Sequence, residues 1–382
     1  MKLQSKTEYA RVVLAAGGTG GHVFPAEALA VHLRERGIEP VLFTDRRGTS
    51  FGAETPVRHI RGGGLAGQTV WRRARSLSEL GIGLLQAGFA LRRFRPRVVI
   101  GFGGYASVPT LLAAGAMGMP TIVHEQNALL GRANRLLASR AGRIATAFAT
   151  VAGLPEGAEL KVVRTGMPVR PAFARLRDRV YQPPEAGGPI RILVLGGSQG
   201  ARVFGEVLPA AVDRLNARLR SRLAIAQQCR PEALSAVEDA YRRIGISVEL
   251  ASFFEDVPQR LANAHLLIAR AGASTIAELT TLGCPAVLVP YPFAADDHQR
   301  ANAEAIAALG GGWVMPQDSL TAEALAIRLE ELLARPDALT AAAAAARAAG
   351  VDRAAANLAE LVMEVMGLGP SETTLPLGRL AA

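Results

Sequence analysis

The chain has 382 residues, 49% hydrophobic and 20% charged, which excludes a disordered polymer and exceeds what one ordinary core accommodates. Its two cysteines, Cys229 and Cys284, stand far apart without metal-ligand spacing, so neither a disulfide framework nor a zinc site is indicated and a reducing cytoplasm suits it. The formal net charge of +10 is uneven, +15 over residues 1–180 and -5 over the rest.

In chain order, MKLQSKTEYARVV lacks the apolar core of a signal peptide and RVVLAA reads at once as a strand. The loop GGTGGH (17–22) and the strand PVLFT follow. Next, the arginine clusters WRRARS (71–76) and RRFRPR (92–97) bracket the uncharged LGIGLLQAGFAL (80–91). That run is shorter than the roughly 20 residues a bilayer core requires. Its one-signed flanks predict a surface helix that meets anionic lipid headgroups; a core helix with solvated basic ends is the plainer alternative. The uncharged run 98–123 is longer, but Gly101, Gly103, Gly104, Pro109, Gly118 and Pro120 cut it into strand, loop, short helix and strand.

RVVIGF, PTIVHE, RIATAF and KVVRTG complete the first half. After the Pro/Gly-rich joint RPAFARLRDRVYQPPEAGGPI the pattern restarts with RILVLGG, RLAIAQQ, VELASF, HLLIARAG and AVLVPYP. Continuous apolar strands alternating with helical segments predict two doubly wound parallel α/β domains. The expected divisions are 1–175, 176–366 and a mobile tail, 367–382.

Each half opens with a glycine loop after its first strand, GGTGGH and GGSQGA (196–201), and a third loop, GFGGYAS (101–107), follows another strand. Glycine allows a sharp turn and close approach to a ligand, and the next helix offers N–H groups to phosphate oxygens. Neither of the first two loops has GxGxxG spacing, so a dinucleotide is not specified. Two loops in the basic half point to a second phosphate-bearing ligand there.

In order along the chain, GGTGGHVFPA (17–26), GFGGYAS, HEQNALLGRANR (124–135), GMPVR (166–170), GGSQGA, ARAGASTIAEL (269–279) and VPYPFAADDHQRANA (289–303) resemble the signature blocks of the MurG family of peptidoglycan glycosyltransferases. The resemblance covers about residues 10–360 and implies a GT-B fold, two Rossmann-like domains facing a cleft. It implies inverting transfer of N-acetylglucosamine from UDP-N-acetylglucosamine to the muramyl 4-hydroxyl of lipid I, forming lipid II, without a metal or other cofactor. The donor is expected mainly on the second domain. Lipid I is expected on the first, at the cytoplasmic face of the inner membrane, with cell-wall synthesis and division proteins as possible partners and no nucleic acid.

By resemblance the donor contacts are Thr19, Gly20, Gly21, Asn127, Arg170, Ser198, Phe254, Ala273, Ser274, Thr275, Glu278 and Gln299. The acceptor contacts are His22, Gly103, Gly104, Tyr105 and Glu125. His22 is the candidate base, kept neutral near a helix N-terminus; fixing the loop or clamping the acceptor diphosphate is the alternative. Glu278 is expected on the uridine ribose, although Thr275-x-x-Glu278 also has capping-box spacing. Asp296, Asp297 and His298 are consecutive and do not converge on one ion. Arg300 replaces a second glutamine found in some relatives. Two rival readings remain open at this point: a GT-B enzyme with another lipid acceptor, and an oxidoreductase using Asp45 as a ribose acid.

Overall fold

The computed structural model describes residues 10–17, 20–45, 55–62, 70–105, 107–197 and 200–368, with backbone alone at 20, 70–75 and 77. Thr19, Ser198, the tail from 369 and the side chains of Arg72, Arg73 and Arg75 lie outside the described residues.

The first domain runs β1 (Arg11–Ala16), α1 (Gly20–Glu35), β2 (Glu39–Thr44), β3 (Val57–His59), α2 (Val70–Phe94), β4 (Val98–Gly101), α3 (Ser107–Ala116), β5 (Thr121–Glu125), α4 (Arg132–Ala138), β6 (Arg143–Thr146) and β7 (Val162–Arg164). Its parallel sheet has the order β3-β2-β1-β4-β5-β6-β7. Val12, Leu14 and Ala16 of β1 enter one apolar cluster while Val13 and Ala15 enter another. Both faces are therefore covered, and the strand reads as an unbroken apolar run.

The short helix α5 (Pro171–Ala174) leads to the second domain: β8 (Ile190–Leu195), α6 (Arg202–Arg214), α7 (Ala217–Arg220), β9 (Leu223–Gln228), α8 (Leu234–Arg243), β10 (Val248–Ala251), α9 (Val257–Asn263), β11 (Leu266–Ala269), α10 (Ala273–Leu282), β12 (Ala286–Leu288), α11 (His298–Ala308), β13 (Gly312–Val314), α12 (Ala322–Leu333) and α13 (Pro336–Ala349), after which comes a last helix, α14 (Ala354–Val365). This sheet is also parallel, ordered β10-β9-β8-β11-β12-β13. Both sheets reverse direction of growth between their first and fourth strands, the place where open α/β sheets bind ligands. GGTGGH follows β1 and GFGGYAS follows β4; GGSQGA follows β8 and ARAGAS follows β11.

The structure departs from expectation in two ways. Two three-residue edge strands, β3 and β13, carry too little pattern to be read from sequence. The last helix, expected in the second domain, returns to the first: Leu358, Leu361 and Val362 of α14 join the cluster of Val12, Leu14 and Leu29. The run 80–91 lies inside the single 25-residue helix α2, and 98–123 is β4, a loop, α3 and β5. Among the described residues no helix is long and apolar enough to cross a membrane.

The chain thus crosses between domains twice, after β7 and before α14. At the first crossing Gly166 has φ +80, and an added Cβ would lie 2.5 Å from Val351 Cβ at the second. Gly166→Ala should cost about 2 kcal/mol or more in urea unfolding, from strain and overlap together. The control Gly115→Ala, a helical position with nothing within 4 Å of its Cβ, should be neutral or stabilising. Equal stability of the two variants would contradict this close crossing.

Candidate active site

In the first domain two glycine loops touch. The Gly17 amide donates to the Gly103 carbonyl at 3.1 Å, and a Cβ on Gly104 would come within 2.8 Å of Gly17 Cα. Gly103 and Gly104 have φ of +89 and +74, so contact and left-handed backbone both require glycine. His22, third in α1, lies against this pair: a Cβ on Gly103 would stand 3.2 Å from its Cε1. The ring meets the Phe102 carbonyl and the Gln126 side chain, yet Nδ1 is cut off from solvent without a hydrogen-bond partner. Burial lowers the His22 pKa, with Glu125 opposing it, so the imidazole is neutral. Desolvation is the main cause, where sequence reasoning invoked the helix dipole.

At the end of β5, Glu125 is buried and organises the following loop. Its Oε1 accepts from the Asn127 amide at 2.9 Å and the Asn127 side chain at 3.1 Å; its Oε2 accepts from Gly131 N at 2.9 Å and Asn134 Nδ2 at 2.8 Å. Its carboxylate is thus engaged by this loop, while its charge reaches His22. Gln126 donates to the Phe102 carbonyl at 2.7 Å, tying this loop to the glycine loops. The buried His124 is held near the Gly166 carbonyl, with its pKa lowered to about 4 by desolvation.

The two domains meet at Asn302, which is fully buried. Its Oδ1 accepts from Ala128 N at 2.8 Å; its Nδ2 donates to Asn127 Oδ1 and to the Ala271 carbonyl, each at 3.0 Å. Beside it Arg132, next to Tyr105, grips Asp296 with three hydrogen bonds of 2.5–3.0 Å. Sequence reasoning missed Asn302, Asn134 and the Arg132–Asp296 pair. Asn302 left one signal, a polar residue sharing the buried stripe of Ala303 and Ile306.

On the second domain α10 starts at Ala273, with Gly272 as N-cap and no side-chain cap. Thr275 is therefore inside the first turn, and the capping-box reading of Glu278 falls. Ser274 and Thr275 are partly exposed there. Arg170, from the first crossing, donates to Glu278 at 3.2 Å and lies 5.0 Å from the Phe173 ring centroid and 5.8 Å from that of Phe24. Burial pushes the Glu278 carboxyl up to about 7, outweighing the Arg170 charge. Gln299 accepts from the Tyr291 amide at 3.0 Å. Phe254 is buried beneath the Arg260 guanidinium at 4.3 Å, so its side chain fills structure.

Asp296, Asp297 and His298 diverge, toward Arg132, Arg300 and the Ala295 carbonyl. Arg300 pairs with Asp297 on the surface at 2.7 Å. Asp45 is buried at the end of β2. The structure therefore brings His22, Gly103, Gly104, Glu125 and Asn127 together on one side, and Arg170 with Glu278 on the other.

Glu278 makes the stability of the fold depend on pH. Between about pH 4.5 and 7 the folded protein holds a proton that the unfolded chain has released, so this group's contribution to stability falls as pH rises. His124, a base with a lowered pKa, gives the opposite slope between 6.5 and 4, so the parent curve alone is not diagnostic. The melting temperature of Glu278→Gln relative to the parent should rise between pH 5 and pH 8, by an amount corresponding to about 3 kcal/mol at most. A difference independent of pH would contradict the raised carboxyl pKa.

Comparison with known proteins gives the family. The glycosyltransferase family 28 N-terminal domain matches residues 12–146 and its C-terminal domain matches 191–358. A protein of Paramagnetospirillum magneticum named UDP-N-acetylglucosamine--N-acetylmuramyl-(pentapeptide) pyrophosphoryl-undecaprenol N-acetylglucosamine transferase is 56% identical over 96% of this chain and 99% of its own. Its namesake from Rhodospirillum centenum is 55% identical over 96% and 97%. The crystal structure of Acinetobacter baumannii MurG superposes with a TM-score of 0.77 at 29% identity, covering 93% of this chain and 99% of that one. A UDP-GlcNAc 2-epimerase from Neisseria meningitidis, at 12% identity, TM-score 0.64 and coverage of 94% and 100%, shares the fold alone. The chain belongs to glycosyltransferase family 28, and within it to the MurG family.

Proposed function

We propose that the chain transfers N-acetylglucosamine from UDP-N-acetylglucosamine to the 4-hydroxyl of the muramyl sugar of lipid I, releasing UDP and forming lipid II. Family membership supplies the reaction class. The carrying observation is the partnerless, buried Nδ1 of neutral His22 beside two touching glycine loops, together with a second cluster of Arg170, Glu278 and the open start of α10.

In this reading Glu278 accepts hydrogen bonds from the uridine ribose, and Ser198, Ala273, Ser274 and Thr275 meet the diphosphate with backbone and hydroxyl donors. Thr19, Gly20, Gly21, Asn127, Arg170 and Gln299 surround the sugar side, with the Phe254 backbone toward uracil. Gly103, Gly104 and Tyr105 meet the acceptor diphosphate, while Glu125 acts through the loop it holds. The muramyl oxygen attacks the anomeric carbon, its proton passes to His22, and the bond from that carbon to the UDP oxygen breaks. One displacement inverts the configuration.

The test is transfer of radiolabelled sugar to a short-chain lipid I analogue in the presence of a chelator. His22→Ala should reduce transfer by about 100-fold or more with donor binding intact. Undiminished transfer in that variant would remove His22 from the chemistry. Failure of the parent to transfer, despite tight UDP binding, would move the acceptor to another lipid.

The acceptor is membrane-bound, and α2 offers the surface to meet it. Leu85 and Phe89 are 76% and 71% exposed, Ile82 and Leu84 are partly exposed, and Arg92 and Arg93 are exposed one turn on. Apolar side chains beside one-signed charge suit an anionic interface on the cytoplasmic leaflet. Leu85→Glu with Phe89→Glu should lower binding to phosphatidylglycerol vesicles by about tenfold or more and leave transfer to a soluble analogue unchanged. Unaltered sedimentation with vesicles would place the membrane contact elsewhere.

A further inference from the structure

A cavity of about 520 Å³ lies between the domains, behind the donor face of α10. His22, Asn127, Arg170, Glu278 and Gln299 do not line it; Ala273 alone of the donor candidates on α10 reaches it. The helical repeat explains the separation. Residues 273, 276, 277, 280 and 281 share one face of α10, whereas 274, 275 and 278 share another.

The walls are chiefly apolar, with Phe148 and Met167 from the first domain and Ile276, Ala305 and Ile306 from the second. Arg164 is the one cation among them. Its Nη2 donates to the Ala349 carbonyl at 2.7 Å, its Nε is buried without a partner, and no carboxylate pairs with it among the described residues. Exposed Ala308, Leu309 and Ala348 on the lining provide a way in from solvent. An apolar chamber with one unneutralised guanidinium selects an amphipathic monoanion, its tail against the walls and its head on Arg164.

The position gives such a ligand leverage. Gly166 and Met167 line the cavity from the first crossing, Gly350 and Val351 from the second. Arg164 itself joins the two, through the Ala349 carbonyl. We propose that this cavity binds a medium-chain aliphatic carboxylate, and that its occupancy changes the mobility of the two crossings and hence transfer, without competing with UDP-N-acetylglucosamine.

Calorimetry of the full chain with decanoate, below its micelle concentration, tests this. The parent should bind one equivalent, and decanol should bind about tenfold more weakly. Arg164→Gln should weaken decanoate about tenfold, and Ala305→Phe, which fills the chamber, should abolish binding. Each variant is checked for UDP-N-acetylglucosamine binding, and if the larger side chain prevents folding, Arg164→Gln decides alone. Leu85→Glu with Phe89→Glu should leave decanoate binding unchanged, and saturating donor should not relieve the effect of decanoate on transfer. Absence of binding to the parent, equal binding to Arg164→Gln, loss through the α2 changes, or relief by donor would overturn the proposal.

Discussion

The cleft depends on one buried amide. Asn302 reaches from α11 to Asn127 and to the amide of Ala128, and holds the Ala271 carbonyl of its own domain in the same grip. A fully buried side chain with three good partners in low dielectric is costly to disturb, because each partner would be left without water as well. Glu125 extends this constraint into the first domain by closing the loop that presents Asn127. Gln126 carries it to the glycine loops through Phe102. The two sheets are thereby set in a register that a reaction between two bound sugars demands.

Electrostatics follow from the same burial. His22 and His124 are neutral because desolvation outweighs their polar surroundings, and Glu278 is poised near neutrality for the same reason. A basic ring with a free nitrogen and a carboxyl with few committed partners suit groups that exchange protons or accept hydroxyls. The Arg132–Asp296 pair, by contrast, lies at the exposed edge of the cleft, where such a pair contributes little to stability and more to which approach is open.

The fold was legible because parallel sheets covered on both faces write continuous apolar strands into the sequence, as RVVLAA and RILVLGG do. Short edge strands such as β3, all exposed, write no such pattern. The return of α14 was hidden because an amphipathic helix states that it needs a partner and not which one. Glycine loops were legible from chemistry, and family resemblance assigned individual contacts. What neither supplied was the contact between domains: Asn302 and Arg132 act through partners 175 and 164 residues away, a relation that only the folded chain displays. The role of Glu125 moved for the same reason, from a group facing the acceptor to the clasp of its own loop.

Alignment of donor and acceptor thus depends on the Asn302 contact between domains. The decisive measurement is of UDP-N-acetylglucosamine affinity and transfer rate in parallel for Asn302→Ala, on protein shown to be folded. Donor affinity should stay within about threefold of the parent while transfer slows by about 100-fold or more. Unimpaired transfer by the folded variant would contradict it, and would mean that the register of the cleft is set elsewhere.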